Sequence, residues 1–224
     1  MSTETMLKHR IVMLLLALVP WGLAAEPTML SFRIIDSQTG EPVADARVIV
    51  NHGPTAKPSS AEMAQRNRQF QPQSLVISRG SAVNFPNYDA TQHHVYSFSP
   101  AKIFELELFA DQPKAPVVFD QVGVVEVGCN IHDRMRGFII VTNSTLTART
   151  NSSGLATVSL SADTAIDGEL SLSLWHPRLE NATKIVDFSV NHSLSDPVEL
   201  QLDLTPERKK AGRLDGLQKR FQDL

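Results

Sequence analysis

The chain has 224 residues, 42% of them hydrophobic, with 21 Lys and Arg against 24 Asp and Glu, a net charge of −3. That length and apolar content allow one large domain or two small ones with a buried core. The mildly acidic balance excludes the strongly basic surface of a nucleic-acid-binding protein, and a single cysteine, Cys129, excludes an internal disulfide.

In residues 1–25, Lys8 and Arg10 precede an apolar run over 11–19, followed by Pro20 and the small residues Gly22, Ala24 and Ala25. This is the pattern of a secretory signal peptide. The run is shorter than the about 20 residues a spanning helix needs. The sequence therefore predicts export to the periplasm, cleavage near Ala25 and no stable membrane span afterwards. An exported chain meets an oxidising compartment, where a lone thiol calls for an explanation. Either Cys129 is a small buried hydrophobe, or it is a thiolate protected by a metal.

Residues 28–52 read as two strands, LSFRII and ARVIVN, joined through DSQTGEP at 36–42, whose Gly40 and Pro42 mark turns. A lone two-stranded hairpin is marginal in water, so these strands need partners elsewhere. Residues 53–60 have the composition of a linker. The strongest β pattern lies within 61–143, in short apolar runs around Leu75, Ile77, Val83 and Phe85, and over 95–98, 117–119, 124–127 and 138–141. Residues 62–69 have some helix propensity, but Phe70 and Pro72 fit an extended segment better. After Thr145 five further strands recur, TLTART, LATVSLS, ELSLSLWH, TKIVDFSV and PVELQLDL. The whole is predicted all-β, two sandwiches of short strands, ending in a net-basic helix over 205–224 capped by Thr205 and Pro206. That tail reads as a solvated helix against the sandwich.

The chemistry concentrates in Gly128-Cys129-Asn130-Ile131-His132-Asp133-Arg134-Met135-Arg136-Gly137. Thiolate and thioether are soft ligands that favour cuprous ion, and imidazole suits both oxidation states of copper. One Cys, two His and a long axial Met define the blue-copper geometry. Three of those four donors, Cys129, His132 and Met135, sit on this loop. The second imidazole must come from another strand, and His93 and His94 are the candidates. Alternate side chains of a strand point to opposite faces, so only one of the two can face a metal. Structural zinc would leave Met135 unused, and haem attachment needs a Cys-x-x-Cys-His that is absent. His176, in Trp175-His176-Pro177, reads as a strand-end residue beside a turn. His52 and His192 read as solvated, and Met29 and Met63 as packing residues.

Residues 61–143 resemble the cupredoxins of the plastocyanin and amicyanin type. Phe70-Gln71-Pro72 with Leu75, Ile77, Gly80, Val83, Phe85, Asn87 and Asp89 is similar to that family's F-x-P-x-x-L-x-V-x-x-G-x-x-V-x-F-x-N-x-D opening. The Cys-x2-His-x2-Met loop followed by Arg136-Gly137 resembles amicyanin. The family's His-Asn-Val step reads His93-His94-Val95 here, which implies that His93 is the ligand and that His94 replaces an Asn that ties the ligand loops together. The implied site is one type 1 copper held by His93, Cys129, His132 and Met135. Residues 39–48 and 148–156 resemble a carboxypeptidase regulatory-like, Ig-type sandwich, implying a discontinuous unit of 28–52 with 144–204 into which the cupredoxin stretch is inserted. The full order is similar to bacterial periplasmic proteins called methylamine utilization proteins.

The implied function is electron transfer between redox partner proteins, without enzymatic activity. Copper storage or delivery, and an Ig-like binding module with incidental copper, are the alternatives.

Overall fold

A computed structural model describes residues 28–113, 115–160, 169–191 and 196–207. The described part is all-β, with seventeen strands numbered β1 to β17 in chain order. The expected signal peptide, most of the expected C-terminal helix and His192 lie outside the described residues. Of the tail, 205–207 carry no regular structure.

Two sheets enclose the first core. Strand β1 (Thr28–Asp36) runs between β14 (Leu155–Leu160), antiparallel to it, and β17 (Val198–Leu202), parallel to it. Facing them, β2 (Arg47–Val50) lies between β13 (Thr147–Arg149) and β15 (Glu169–Trp175), with β16 (Val186–Asn191) at the edge. Period-two alternation puts Leu30, Phe32 and Ile34 of β1 inside, where they meet Val48, Leu172, Leu174 and Trp175. Hence the strand pair near the N-terminus finds its partners a hundred residues later. At the crossing between the two parts, Ser144 Oγ donates to the Val50 carbonyl (2.6 Å) and Ala56 N–H to the Asn143 carbonyl (2.7 Å).

The second core lies between another pair of sheets. One holds β6 (Ser74–Ser78), β12 (Arg136–Thr142), β11 (Gly123–Cys129), β8 (His93–Ser99) and β9 (Lys102–Phe109), in that order. The other holds β10 (Val117–Phe119), β7 (Ser81–Asn84) and β3 (Ser60–Glu62). A hairpin of β4 (Ala64–Arg66) and β5 (Gln69–Gln71) closes one end, so the segment at 62–69 is extended, as expected. The stretch at 53–60 is less of a linker than its composition suggests, because Thr55 bridges to Ser144 and Ser60 begins β3. Strand β9 is absent from the expected set. Its Ile103 and Leu108 turn to solvent, which spoils the apolar-in, polar-out alternation by which a half-buried strand is read.

The five-stranded sheet belongs to both cores. In β12, Ile139 and Val141 point into the second core while Phe138 and Ile140 point into the first. In β11, Val125, Val127 and Cys129 face one way and Val124 the other. The Phe138 ring meets Trp175 at 4.9 Å, and the Arg47 guanidinium donates to the Ser74 carbonyl (2.7 Å) and hydroxyl. A strand buried on both faces must be apolar at successive positions, and Phe138-Ile139-Ile140-Val141 meets that demand.

Candidate metal centre

Three strand or strand-end positions bring the donors together. Strand β8 begins at His93, and its neighbour β11 ends at Cys129, with Cys129 opposite Val95 in the register. The chain then turns through Asn130–Arg134 before β12 departs. Within that turn Cys129 N–H donates to the Met135 carbonyl (3.2 Å), His132 N–H to the Cys129 carbonyl (3.3 Å) and Met135 N–H to the His132 carbonyl (2.9 Å). These three bonds wind the seven residues so that the His132 ring returns to the Cys129 sulfur while Met135 is buried in the apolar cluster that holds Cys129.

The Nδ1 atom of His93 lies 3.5 Å from Cys129 Sγ, and that of His132 lies 3.4 Å from the same sulfur. The three donor atoms fall within 4.8 Å of one another. Two ligand atoms each about 2.0–2.3 Å from a first-row metal ion sit roughly 3–4 Å apart, so the observed spacing suits donors that share one ion. Met135, 2% exposed, packs in the same apolar cluster as Cys129. Of the two candidate imidazoles, His93 is wholly buried and turned to the sulfur. His94 points through the other face of the sheet, where its Nε2 pairs with Glu105 Oε1 at 2.8 Å.

The His94 side chain, paired with Glu105 on the far face, therefore makes no link between the His93 and Cys129 segments. The backbone supplies one instead: Asn130 N–H donates to the His94 carbonyl at 3.1 Å.

Asp89 sets the orientation of His93, a role the sequence does not announce. Its Oδ2 lies 2.9 Å from His93 Nε2 and also accepts from the Arg68 N–H (2.8 Å), while Oδ1 accepts from the Asn67 N–H (2.6 Å). Burial works to raise the Asp89 pKa, yet the Arg68 amide, His93 and the Asn67 amide together hold it below the ordinary aspartate value. An ionised carboxylate only accepts, so the proton of His93 belongs on Nε2 and the Nδ1 lone pair is left facing Cys129. Asn67 and Arg68 have φ of 55° and 56°, the consecutive left-handed pair of a tight hairpin turn. One carboxylate thus pins both the β4–β5 turn and the imidazole. Asn87 braces the same loop by donating to the carbonyls of Thr91 (2.8 Å) and Ala110 (2.7 Å).

His132 is partly exposed where His93 is not. Its pKa lies below the ordinary histidine value because of desolvation first and then the charges of His93 and Arg68, with Asp89 opposing. A neutral ring is the form that ligates. The other singled-out residues lie elsewhere. His176 is buried, with Nδ1 accepting from the Arg178 N–H (3.2 Å), His52 is solvated, Met63 is core and Met29 is surface.

No protein-family model matches the chain, and neither does any protein of curated function. Solved structures do. A purple cupredoxin from Nitrosopumilus maritimus is 22% identical, with 37% of this chain and 99% of that one covered and a TM-score of 0.30. Amicyanin from Paracoccus versutus is 20% identical over 42% of this chain and 97% of its own, with a TM-score of 0.34. Each likeness covers less than half of this chain and leaves the rest without a counterpart.

The donor set itself tests the cofactor. One thiolate, two imidazoles through Nδ1 and a buried thioether make the set of a type 1 copper site, soft enough for the cuprous ion and basic enough for the cupric ion. The residues present fit one copper ion.

Proposed function

We propose that this chain is a type 1 copper protein of the cupredoxin kind that passes single electrons between partner proteins, with His93, Cys129, His132 and Met135 as its ligands. The observation that carries the reading is the convergence of two Nδ1 atoms on the Cys129 sulfur beside buried Met135. Bound copper would supply a one-electron couple, its potential tuned by the thioether and by the hydrogen bonding around the thiolate.

The protein's own contribution is rigidity. His93 is held by a strand on one side and by Asp89 on the other, and Cys129 is the last residue of a strand paired with β8 and β12. Donors locked by packing and hydrogen bonds keep one geometry through a change of oxidation state. His93 is sealed in, and His132 is the imidazole that reaches solvent. A fully enclosed ligand favours a retained ion over one made to be handed on.

The reading extends to organisation and location. Residues 28–52 with 144–204 form an Ig-like unit into which 61–143 is inserted, supported by the Val50–Ser144 and Ala56–Asn143 contacts at the crossing. The leader pattern of residues 1–25 points to the periplasm. Among the described residues no helix is long and apolar enough to cross a membrane. The similarity to methylamine utilization proteins makes an amine-oxidising system the electron source to try first.

Adding Cu(II) to the purified chain should produce an intense visible sulfur-to-copper charge-transfer band, and Cys129→Ala should abolish it. No band in the parent chain, or a band that survives Cys129→Ala, overturns the assignment. Rapid loss of the metal to a mild chelator would favour delivery over electron transfer.

A further inference from the structure

The back of the five-stranded sheet is unevenly covered. One row of residues crosses it. The row runs from Phe138 of β12 to its register partner Glu126 of β11, whose N–H donates to Ser99 Oγ (2.8 Å) next to Phe98 of β8, and ends at Ile103 of β9, the partner of Phe98. Phe138 is buried against Trp175. Phe98 and Ile103 are 79% and 68% exposed, the two most exposed large hydrophobic side chains among the described residues. Tyr96 extends the patch, its ring 5.2 Å from that of Phe98. The apolar patch therefore continues the contact that Trp175 makes with this sheet, and a cluster of this kind marks a surface that something covers.

Charge says what kind of cover fits. Glu105 and Glu107 stand exposed on β9, whereas the nearby cations are matched, Arg136 by Glu126 and Lys102 by Asp120. A second copy of this face would set acid against acid. Residues 208–224 have the complementary character, with six Lys or Arg against two Asp. At helical spacing their Leu214, Leu217, Phe221 and Leu224 fall in one stripe. An isolated helix of that length carrying Gly212 and Gly216 is marginal in water, so the stripe needs a surface to form on.

We propose that residues 208–224 of this same chain lie across the Phe98–Ile103 face, seating Leu214, Leu217 and Phe221 on it and turning their basic side chains toward Glu105 and Glu107. The segment starts within reach. Arg178, three residues past Trp175, donates to the Thr205 carbonyl (2.7 Å) and pairs with Glu207 (3.5 Å), so the chain reaches 207 beside the end of β15. From Arg178 back to Trp175 is at most about 11 Å, and from Phe138 to Ile103 is three strand spacings, about 14 Å. Residues 208–224 span about 25 Å as a helix and about 55 Å extended. Docked there, the segment ties the outer strands of the sheet to the sandwich of β1, β2, β14 and β15, and this arrangement holds whether or not a metal is bound.

Two measurements on the metal-free chain test it. Nuclear Overhauser contacts should join the Phe221 ring and the Leu217 methyls to the Ile103 methyls, with a strength independent of protein concentration. Hydrogen exchange read by mass spectrometry should find the amides of 214–224 protected. Phe98→Asp, a change at a solvent-facing side chain that leaves the far-UV circular dichroism of the strands in place, should speed that exchange by about tenfold or more. Lys219→Glu with Arg220→Glu should speed it by a smaller factor, and adding Glu105→Lys with Glu107→Lys should restore part of the protection. Contacts from Phe221 to any other surface, or exchange over 214–224 that is equally fast in the parent and in Phe98→Asp, overturn the proposal. Protection that appears only as concentration rises would assign the face to a second copy, and protection that appears only with anionic phospholipid vesicles would assign the segment to a lipid surface; either result overturns it as well.

Discussion

The two cores that share the five-stranded sheet follow different rules. The core shared by β1, β2, β14 and β15 is lined mostly by aliphatic and aromatic side chains, and the polar groups buried in it are bonded: the Trp175 indole N–H donates to the Ala182 carbonyl at 2.8 Å and the Thr150 hydroxyl to the Val43 carbonyl at 2.7 Å. The core on the other side gives up that uniformity. It encloses His93, Cys129 and Met135, and also Gln65, whose Oε1 has no hydrogen-bond partner. A set of donors poised for a metal is poor packing material, since each polar atom must be satisfied or paid for in desolvation. The lesson is a division of labour: the apolar sandwich stiffens the back of the sheet whose front carries the donors.

That comparison breaks most visibly at Trp175. Truncation to Ala removes a fully buried ring and the contact with Phe138, and should cost about 3–5 kcal/mol. If the sheet couples the cores, the loss of the copper band and of far-UV circular dichroism on heating will move down together. Two separated transitions would show that the sandwiches melt as independent units. Next in size is Gly154→Ala, expected to cost about 3 kcal/mol. Gly154 holds a φ of +71°, and an added Cβ would press on the Ile34 carbonyl oxygen. A chemical-denaturation midpoint equal to that of the parent would contradict the turn geometry.

Much of this architecture is legible in the residues, for reasons that differ by region. Cys129, His132 and Met135 are readable because one short loop carries three soft or borderline donors. His93 is harder, since strand alternation says only that one of two adjacent imidazoles faces inward. Asp89 escapes the sequence altogether as a brace, because its partners are backbone amides of a left-handed turn twenty residues earlier, and nothing in Asn67-Arg68 announces that turn as an Asn-Gly pair would. Strand β9 is hidden by the same exposed Ile103 that makes its outer face notable.

Smaller changes sharpen the contrast on the site-bearing side. Gly137→Ala would set a Cβ 2.9 Å from that of buried Phe70, two residues beyond Met135. A loss of about 2 kcal/mol is expected, with a shifted visible spectrum, because the strand leaving the ligand loop must move. Asp89→Ala should leave the cores intact and weaken copper binding by about 10- to 100-fold in chelator competition. Asp89→Glu should recover part of that loss. Unchanged affinity in Asp89→Ala would remove the carboxylate from any role in orienting His93.

The smallest effect belongs to the apolar sandwich and concerns pH. Burial, and then the charge of Arg178, holds the His176 pKa below the ordinary histidine value, while its ring bonds to the Ala44 backbone and accepts from the Arg178 amide. The unfolded chain therefore takes up a proton first as the pH falls. Stability from this residue is complete above about pH 6.5 and is lost progressively below it, until the pH passes the depressed folded value. Denaturation midpoints at pH 7.5 and pH 5 should differ in that direction, and His176→Gln should flatten the difference. A parent chain more stable at pH 5 than at pH 7.5, with the trend removed by His176→Gln, would mean that the folded state prefers the charged ring, which neither its burial nor its guanidinium neighbour can support.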